Sequence, residues 1–135
     1  MTASVDEIGS SLAREIEEGG GRVYPGFPWW LRVVLSRRTL AITIGRRIYL
    51  GRELLARSAD EIETIVVHEL EHVRQFARVG LLRFAWRYAR DYVRNRRRGL
   101  SSFEAYEAIS FEVEARVAEN RLRHAKENGE DVRTA

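Results

Sequence analysis

The sequence predicts a single α+β domain in which a small antiparallel sheet of about three strands packs against several helices. Three observations support this class. The chain has 135 residues, which suits one hydrophobic core. Apolar runs rich in β-branched residues are concentrated in residues 31–50. Helical spacing with capping signals dominates from Ser58 onward. We place the domain core at residues 31–119, with an N-terminal helix in residues 1–20 and a flexible tail at 129–135.

The first helix is predicted over residues 4–18, because Val5, Ile8, Leu12 and Ile16 have helical spacing and three glycines follow. Residues 24–28 contain both prolines of the chain and are typical of a loop. Trp29 and Trp30 come directly after this loop, and we expect them to pack on the edge of the sheet.

Three strands are predicted after this loop, at residues 31–35, 40–44 and 47–50. Residues 36–39 and the pair Gly45-Arg46 separate them and suit hairpin turns.

The remaining elements are predicted to be helices. Residues 58–61 have the pattern of a capping box, and Gly80 marks the end of the helix that they begin. A second helix is expected over residues 81–98, closed by Gly99. Residues 101–104 form another capping signal, and helical spacing continues to about residue 128 with a break at Ser110.

Composition excludes several classes of site. The chain has no cysteine, so disulfides, iron–sulfur clusters and cysteine-based zinc ribbons are excluded, and any metal is held by His, Glu or Asp. The net charge of +3 and the 44% hydrophobic content are ordinary for a globular protein. Residues 1–9 lack the features of a secretory signal, and no run of 18 apolar residues occurs. We therefore expect a cytoplasmic protein.

His68, Glu69 and His72 form an H-E-x-x-H motif inside a predicted continuous helix. Residues four apart lie one above the other on a helix, so both imidazoles point to the same side. That arrangement lets two nitrogen atoms bind one zinc ion at about 2.0–2.1 Å. Glu69 lies close enough to act on a water activated by the metal without binding the metal itself.

A metal-free pair of buried histidines is the alternative, because a five-residue motif also occurs by chance. The apolar residues around the motif favour the metal site, since they indicate a helix packed into a core. Unpaired polar groups are costly there, and a metal supplies a partner. We predict one zinc ion per chain, although nitrogen and oxygen ligands also suit other divalent metals. The flanking residues are Ile62, Ile65, Val66, Val67, Leu70 and Val73.

A catalytic zinc needs a third protein ligand and one open position. The downstream helix offers Glu112 and Glu114, which point about 200° apart, so only one of them can face the histidine pair. Helical periodicity does not choose between them. The alternative role for Glu112 is a surface ion pair with Arg116.

The chain also resembles the gluzincin branch of zinc metallopeptidases, and most of all the M48-type peptidases and the very small minigluzincin domains. The likeness rests on residues 68–72, on the Glu-x-x-Ala pattern of residues 112–115 and on the predicted hairpin around residues 45–50. It covers roughly residues 31–119 and implies a zincin-like fold with Glu112 as the third ligand. Arg116 stands where the family usually has Asp. Support of one histidine ligand then falls to Glu114, Glu119 or a backbone carbonyl.

The resemblance implies a zinc metalloendopeptidase that acts on a peptide or protein substrate. Zinc held by His68, His72 and Glu112 lowers the pKa of water toward about 7, and Glu69 is the general base. Tyr106 is the predicted second donor to the oxyanion, whereas His124 is a candidate that we expect at the surface. The strand at residues 40–44, or its neighbour, is expected to receive an extended substrate.

The helix at residues 81–98 suggests an alternative function, a non-catalytic zincin-like module that binds nucleic acid or anionic membrane. Five of its arginines are predicted to share one face: Arg83, Arg87, Arg90, Arg94 and Arg97. The opposite side is expected to pack on the core and contains Leu82, Ala85, Trp86, Ala89 and Val93. A solvated arginine face that merely covers this helix is the simpler interpretation.

Overall fold

The structure is a computed structural model that describes residues 10–35 and 39–129. Within them it has seven helices and three strands, which confirms the predicted α+β class. None of the described helices is long and apolar enough to cross a membrane. Predictions for residues 4–9, 36–38 and 130–135 lie outside the described residues. The elements are α1 Ser10–Glu18, β1 Arg22–Pro25, α2 Trp29–Val34, β2 Ala41–Ile44, β3 Arg47–Leu50, α3 Arg52–Leu55, α4 Ala59–Val79, α5 Leu81–Arg97, α6 Ser102–Glu107 and α7 Ser110–Glu127.

The three strands form a mixed sheet in the order β1-β3-β2. β2 and β3 are antiparallel, and a two-residue turn joins them as predicted. Gly45 in that turn has φ 63°, a conformation that glycine adopts without steric cost. β1 runs parallel to β3, with Tyr24 opposite Tyr49. The sheet therefore has the predicted number of strands but is not antiparallel throughout.

Two assignments in residues 22–35 were wrong. Part of the predicted loop is strand β1, and Pro25 is tolerated at its end because β1 is an outer strand of the sheet. The predicted strand at residues 31–35 is instead mostly helix α2, which begins after Pro28. Spacing cannot distinguish helix from strand in so short an apolar run. β1 and β2 already pair with the two edges of β3, so no edge of β3 is left for this segment.

The two adjacent tryptophans of α2 do not pack on the edge of the sheet as expected. Trp29 is 78% exposed and Trp30 is 46% exposed. Leu31 is the buried residue of this helix. A six-residue helix at the surface can bury only a narrow strip of side chains, and here that strip does not include the two indoles.

α4 is the central helix and begins with the predicted capping box between Ser58 and Glu61. One face of α4 packs on β3, β2 and α3, and a neighbouring face packs along α7 and α5. The first face closes a core formed by Ile16, Ile48, Leu50, Leu54, Ile62, Val66, Leu70 and Val73. A second core forms where α5 and α7 meet and contains Phe84, Ile109 and Phe111. The predicted break at Ser110 separates α6 from α7.

α5 buries a different face from the one predicted. Its buried residues are Phe84, Asp91 and Asn95, whereas the predicted core residue Leu82 is 84% exposed and Trp86 is 69% exposed. The predicted face was wrong because two of the residues that point inward are polar. Asp91 accepts hydrogen bonds from Ser110 at the start of α7, and Asn95 donates to the Ala105 carbonyl of α6.

We expect Asp91→Ala to lower the free energy of unfolding by about 1–3 kcal/mol, because the Ser110 backbone N–H and hydroxyl lose their acceptor. Urea denaturation followed by circular dichroism measures the change. Asp60→Ala is the control, since Asp60 is exposed and its pair with Lys126 should contribute less than about 1 kcal/mol. An equal loss in both variants would contradict this role for Asp91.

Candidate metal centre

His68, His72 and Glu112 converge on one point between α4 and α7. His68 Nε2 lies 3.2 Å from Glu112 Oε2, and His72 Nε2 lies 3.4 Å from Glu112 Oε1. One ligand atom from each residue lies within 4.8 Å of the others. Two ligands each about 2.1 Å from a tetrahedral zinc are about 3.4 Å apart. The cluster can therefore hold a metal ion.

Of the two glutamates that periodicity left open, Glu112 faces the histidines. It lies in the first turn of α7, is 3% exposed and reaches both imidazoles. Glu114 is directed elsewhere and accepts hydrogen bonds from Gln75 at 3.0 Å and Arg78 at 3.1 Å. The position expected from the family resemblance is therefore the one that the packing of α7 on α4 brings to the histidines.

Gln75, which sequence reasoning missed, orients His72. Its amide nitrogen donates to the Phe111 carbonyl and to Glu114, each at 3.0 Å. Its amide oxygen therefore faces His72 Nδ1, 2.8 Å away, and can only accept a hydrogen bond. This contact places hydrogen on Nδ1 and leaves Nε2 directed at the cluster. A glutamine three residues after the second histidine was the available signal in the sequence.

Glu119 fills the supporting role that Arg116 cannot fill. His68 Nδ1 donates to Glu119 Oε2 at 3.2 Å, so both histidines have an acceptor behind the metal-binding nitrogen. Arg116 instead donates to the Glu107 carbonyl and pairs with the Glu107 carboxylate. Such supporting carboxylates hold the imidazole ring in position and raise its basicity as a ligand.

The charge of each side chain in the cluster depends on the charges of its neighbours. Burial opposes the charged form of His72, but its hydrogen bond to Glu112 and the nearby Glu69 carboxylate raise its pKa to about 9. Burial also opposes ionisation of Glu112, yet the hydrogen bonds from both histidines hold the pKa of Glu112 well below its usual range. Without metal, the cluster therefore retains a proton between imidazole and carboxylate at neutral pH. A divalent cation bound at the cluster would displace that proton.

Glu69 lies beside the cluster and is anchored by Thr43 of strand β2. The Thr43 hydroxyl donates to Glu69 Oε2 at 2.6 Å, and the Glu69 residue is only 7% exposed. Burial raises the pKa of Glu69, although His72 and the Thr43 hydrogen bond oppose the rise. A carboxylate with a raised pKa suits proton transfer near neutral pH. Thr43 was not singled out from the sequence, where it looks like an ordinary strand residue.

Two tyrosine hydroxyls also contact Glu112. Tyr106 of α6 donates to Oε2 at 3.1 Å, and Tyr88 of α5 donates to Oε1 at 2.9 Å. Burial and the Glu112 charge raise the pKa of both phenols, so both remain neutral donors. Tyr106 was predicted near the site and lies there. Tyr88 was missed, since aromatic residues on a helix usually indicate core packing. His124 is exposed and pairs with Glu127.

The cluster opens onto a cleft of about 790 Å³. Residues 39–43 of β2 and the preceding loop line one side, and α5 lines another through Ala85 and Ala89. Glu69, Tyr106 and the three residues of the cluster all border this space. The candidate metal centre is therefore enclosed by the protein core on one side and accessible from the cleft on the other.

Residues 32–80 match the family model of the eCIS core domain (extracellular contractile injection system). That segment contains strands β2 and β3 and helix α4, and so includes both histidines and Glu69. It ends before α7 and does not include Glu112. No curated protein and no solved structure matches the chain. The similarity to this family thus covers the β2–β3 hairpin and α4, which carry His68, Glu69 and His72 but not Glu112.

We expect purified protein to contain about one zinc per chain, and His72→Ala and Glu112→Gln to lose it. Elemental mass spectrometry on untagged protein, purified without chelator, measures the content. Glu114→Gln is the matched control, because it makes the same change two residues away on a carboxylate that does not face the histidines. Zinc retained in Glu112→Gln would contradict the assignment of the third ligand.

Metal-free protein should lose stability as the pH rises from about 6.5 to about 9. The folded pKa of His72, about 9, exceeds its ordinary value of 6.5, so protonated His72 stabilises the fold fully below about 6.5. That contribution disappears as the pH passes the folded value. Urea denaturation in chelator across this range measures it, and His72→Gln should show a smaller slope. With zinc bound, the same range should have a weaker effect, and an identical slope in all three samples would contradict the explanation.

Proposed function

We propose that the protein is a zinc-dependent metallopeptidase. The observation that supports this proposal best is a cluster of three ligand residues that faces an open cleft with a buried glutamate beside it. Structural zinc sites are usually closed by four protein ligands, whereas catalytic sites keep one position open. In the described part of the chain, the cluster comprises His68, His72 and Glu112.

Glu69 is the general base in this proposal. When bound, zinc supplies a water with a pKa near 7 and polarises the carbonyl group of the substrate. Glu69 accepts a proton from the attacking water and donates it to the leaving amine. Thr43 holds the Glu69 carboxylate at 2.6 Å, which keeps the proton acceptor at the edge of the cleft. The raised pKa of Glu69 favours both halves of this transfer.

Tyr106 is the proposed second donor to the oxyanion. It is 41% exposed, lines the cleft and carries a phenol that burial keeps protonated. In the metal-free arrangement its hydroxyl contacts Glu112, so donation to a substrate requires it to turn toward the cleft. Tyr88 is more enclosed and also donates to Glu112, so we assign it to positioning that ligand.

β2 is the proposed binding site for the peptide backbone. It is an outer strand of the sheet, and the residues from Thr39 to Thr43 line the cleft. An extended peptide beside such a strand gains main-chain hydrogen bonds with little dependence on sequence. Ile65 of α4 and Phe84 of α5 add apolar surface to the same cleft. Together these features favour an unfolded or extended segment of a protein as substrate.

We expect Glu69→Gln to lower hydrolysis of a fluorescently labelled unfolded protein by about 10²–10⁴-fold while leaving the zinc content unchanged. The variant removes the proton acceptor but not a metal ligand. Glu71→Gln is the matched control, since Glu71 lies two residues further along α4 and pairs with Arg74. Chelator should abolish the activity of wild-type protein, and added zinc should restore it.

Undiminished hydrolysis by Glu69→Gln would show that a contaminating enzyme or another group carries out the reaction. Zinc at one per chain with no hydrolysis of any unfolded substrate would instead favour a non-catalytic metal-binding domain. Loss of zinc from Glu69→Gln would place this carboxylate among the ligands and contradict its role as base.

A further inference from the structure

The outer side of α5 carries an exposed apolar stripe that the proposed chemistry does not use. Leu82 is 84% exposed, Trp86 is 69% exposed and Val93 is 46% exposed. Ala89 lies between them on the same side of the helix and is also exposed. Residues spaced by three or four share one side of a helix, so these four form a continuous strip. A contiguous exposed apolar patch beside polar groups is typical of a surface that contacts a partner or a membrane.

Arginines flank this stripe along its length. Arg90 and Arg94 project from the helix about half exposed, and together with Arg97 and Arg98 they border a shallow groove whose floor includes Trp86 and Val93. Asp91, the acid of the helix, is 1% exposed and pairs through Oδ1 with Arg90 at 3.0 Å and with Arg94 at 3.5 Å, while its Oδ2 accepts a hydrogen bond from Ser110. Against this one carboxylate the groove has four arginines. The groove therefore presents cationic groups around an apolar floor.

Not every arginine of the predicted face contributes to this surface. Arg87 lies over the Phe111 ring, with its guanidinium carbon 5.0 Å from the ring centroid, and is only partly exposed. Arg83 is exposed beside the stripe. The cationic side of α5 therefore lies next to the apolar stripe rather than opposite it, and it consists of Arg83, Arg90, Arg94, Arg97 and Arg98.

We propose that α5 docks this protein on an anionic lipid membrane, with the apolar stripe in the interfacial region and the arginines on lipid phosphates. An interfacial helix combines these two features, exposed Trp or Leu side chains beside clustered Arg or Lys. Leu82, Trp86 and Val93 supply the inserted side chains, and each arginine near the surface adds attraction to anionic headgroups. An anionic membrane thus matches both the apolar stripe and the positive charge of this surface.

Other occupants fit the same surface less well. A second copy of the chain packed through α5 would bring two arginine clusters together, which like-charge repulsion opposes. Nucleic acid would pair with the arginines, but a phosphate backbone leaves Leu82 and Trp86 in water. A lipid interface is the occupant that satisfies both the arginines and the apolar stripe.

The docking surface adjoins the catalytic cleft. Ala89 borders both the cleft and the groove, so the two lie on either side of a single residue of α5. Docking would place the mouth of the cleft close to the lipid surface. The consequence for substrates rests on the proposed peptidase function: they would be protein segments near a membrane. Docking itself does not depend on catalysis.

Vesicle sedimentation of the full chain tests the proposal. We expect binding to vesicles that contain phosphatidylserine, little binding to pure phosphatidylcholine, and weaker binding as salt rises. In a Trp29→Phe/Trp30→Phe background, Trp86 is the single tryptophan. Its emission should then shift to shorter wavelength on binding, as the indole leaves water.

Two sets of variants, each with a matched control, separate docking through α5 from the effects of net charge and of exposed apolar surface elsewhere. Arg83→Glu/Arg97→Glu/Arg98→Glu, which leaves the pairs of Arg90 and Arg94 with Asp91 intact, should weaken partitioning by more than about tenfold. The control makes the same charge change at three exposed positions on other elements: Arg22, Arg52 and Arg121. Leu82→Ser/Trp86→Ser should weaken partitioning by about tenfold. Its control is Trp29→Ser/Val33→Ser, which removes side chains that are 78% and 79% exposed on α2.

Equal losses in a variant and its control, or equal binding to neutral vesicles, would overturn the proposal. Binding to duplex DNA with no binding to anionic vesicles would also overturn it and identify a nucleic-acid surface. Glu69→Gln protein should bind vesicles like the wild type. A failure of docking and a failure of the proposed catalysis are therefore distinguished by separate measurements.

Discussion

The buried carboxylate of Glu112 is the group whose placement constrains most of the surrounding helices. A carboxylate that is 3% exposed is costly to ionise unless charged or hydrogen-bonding partners replace its water. Here those partners come from three other helices: two imidazoles from α4, and one tyrosine hydroxyl each from α5 and α6. The charge is therefore tolerated only while these three helices keep their polar groups within hydrogen-bonding distance of Glu112. The same positions create a place for a metal ion.

The polar network extends beyond Glu112 in two directions. Behind the histidines, Glu119 accepts a hydrogen bond from His68 Nδ1 and Gln75 accepts one from His72 Nδ1. Toward the sheet, Thr43 holds Glu69. The two histidines and Glu69 thus each have a fixed orientation before any metal or substrate binds. Preorganisation of this kind would remove the need to reorient these groups in the proposed hydrolysis.

α5 illustrates how one helix serves three environments. Its inner face contributes Phe84 to the core and Asp91 to the start of α7, and its cleft side carries Tyr88. Its outer side presents the apolar stripe and the arginines. A helix with three different surroundings does not have the simple division into one apolar and one polar half on which the prediction was based. This explains why its buried face was predicted wrongly while its length and ends were predicted well.

The sequence by itself determined the elements whose signals are local. Capping boxes at Ser58 and Ser101, the glycine turn of the hairpin and the spacing of His68 and His72 depend on neighbouring residues, and all were predicted. Tertiary structure decided whatever depends on distant partners. β1 is a strand because β3 offers it a parallel edge, and α2 is a helix although its apolar residues also suit a strand. Glu112 meets the histidines through the packing of α7 on α4, and Gln75, Thr43 and Tyr88 join the site through contacts across elements. Local spacing carries no information about such contacts, because they depend on where the chain returns in space.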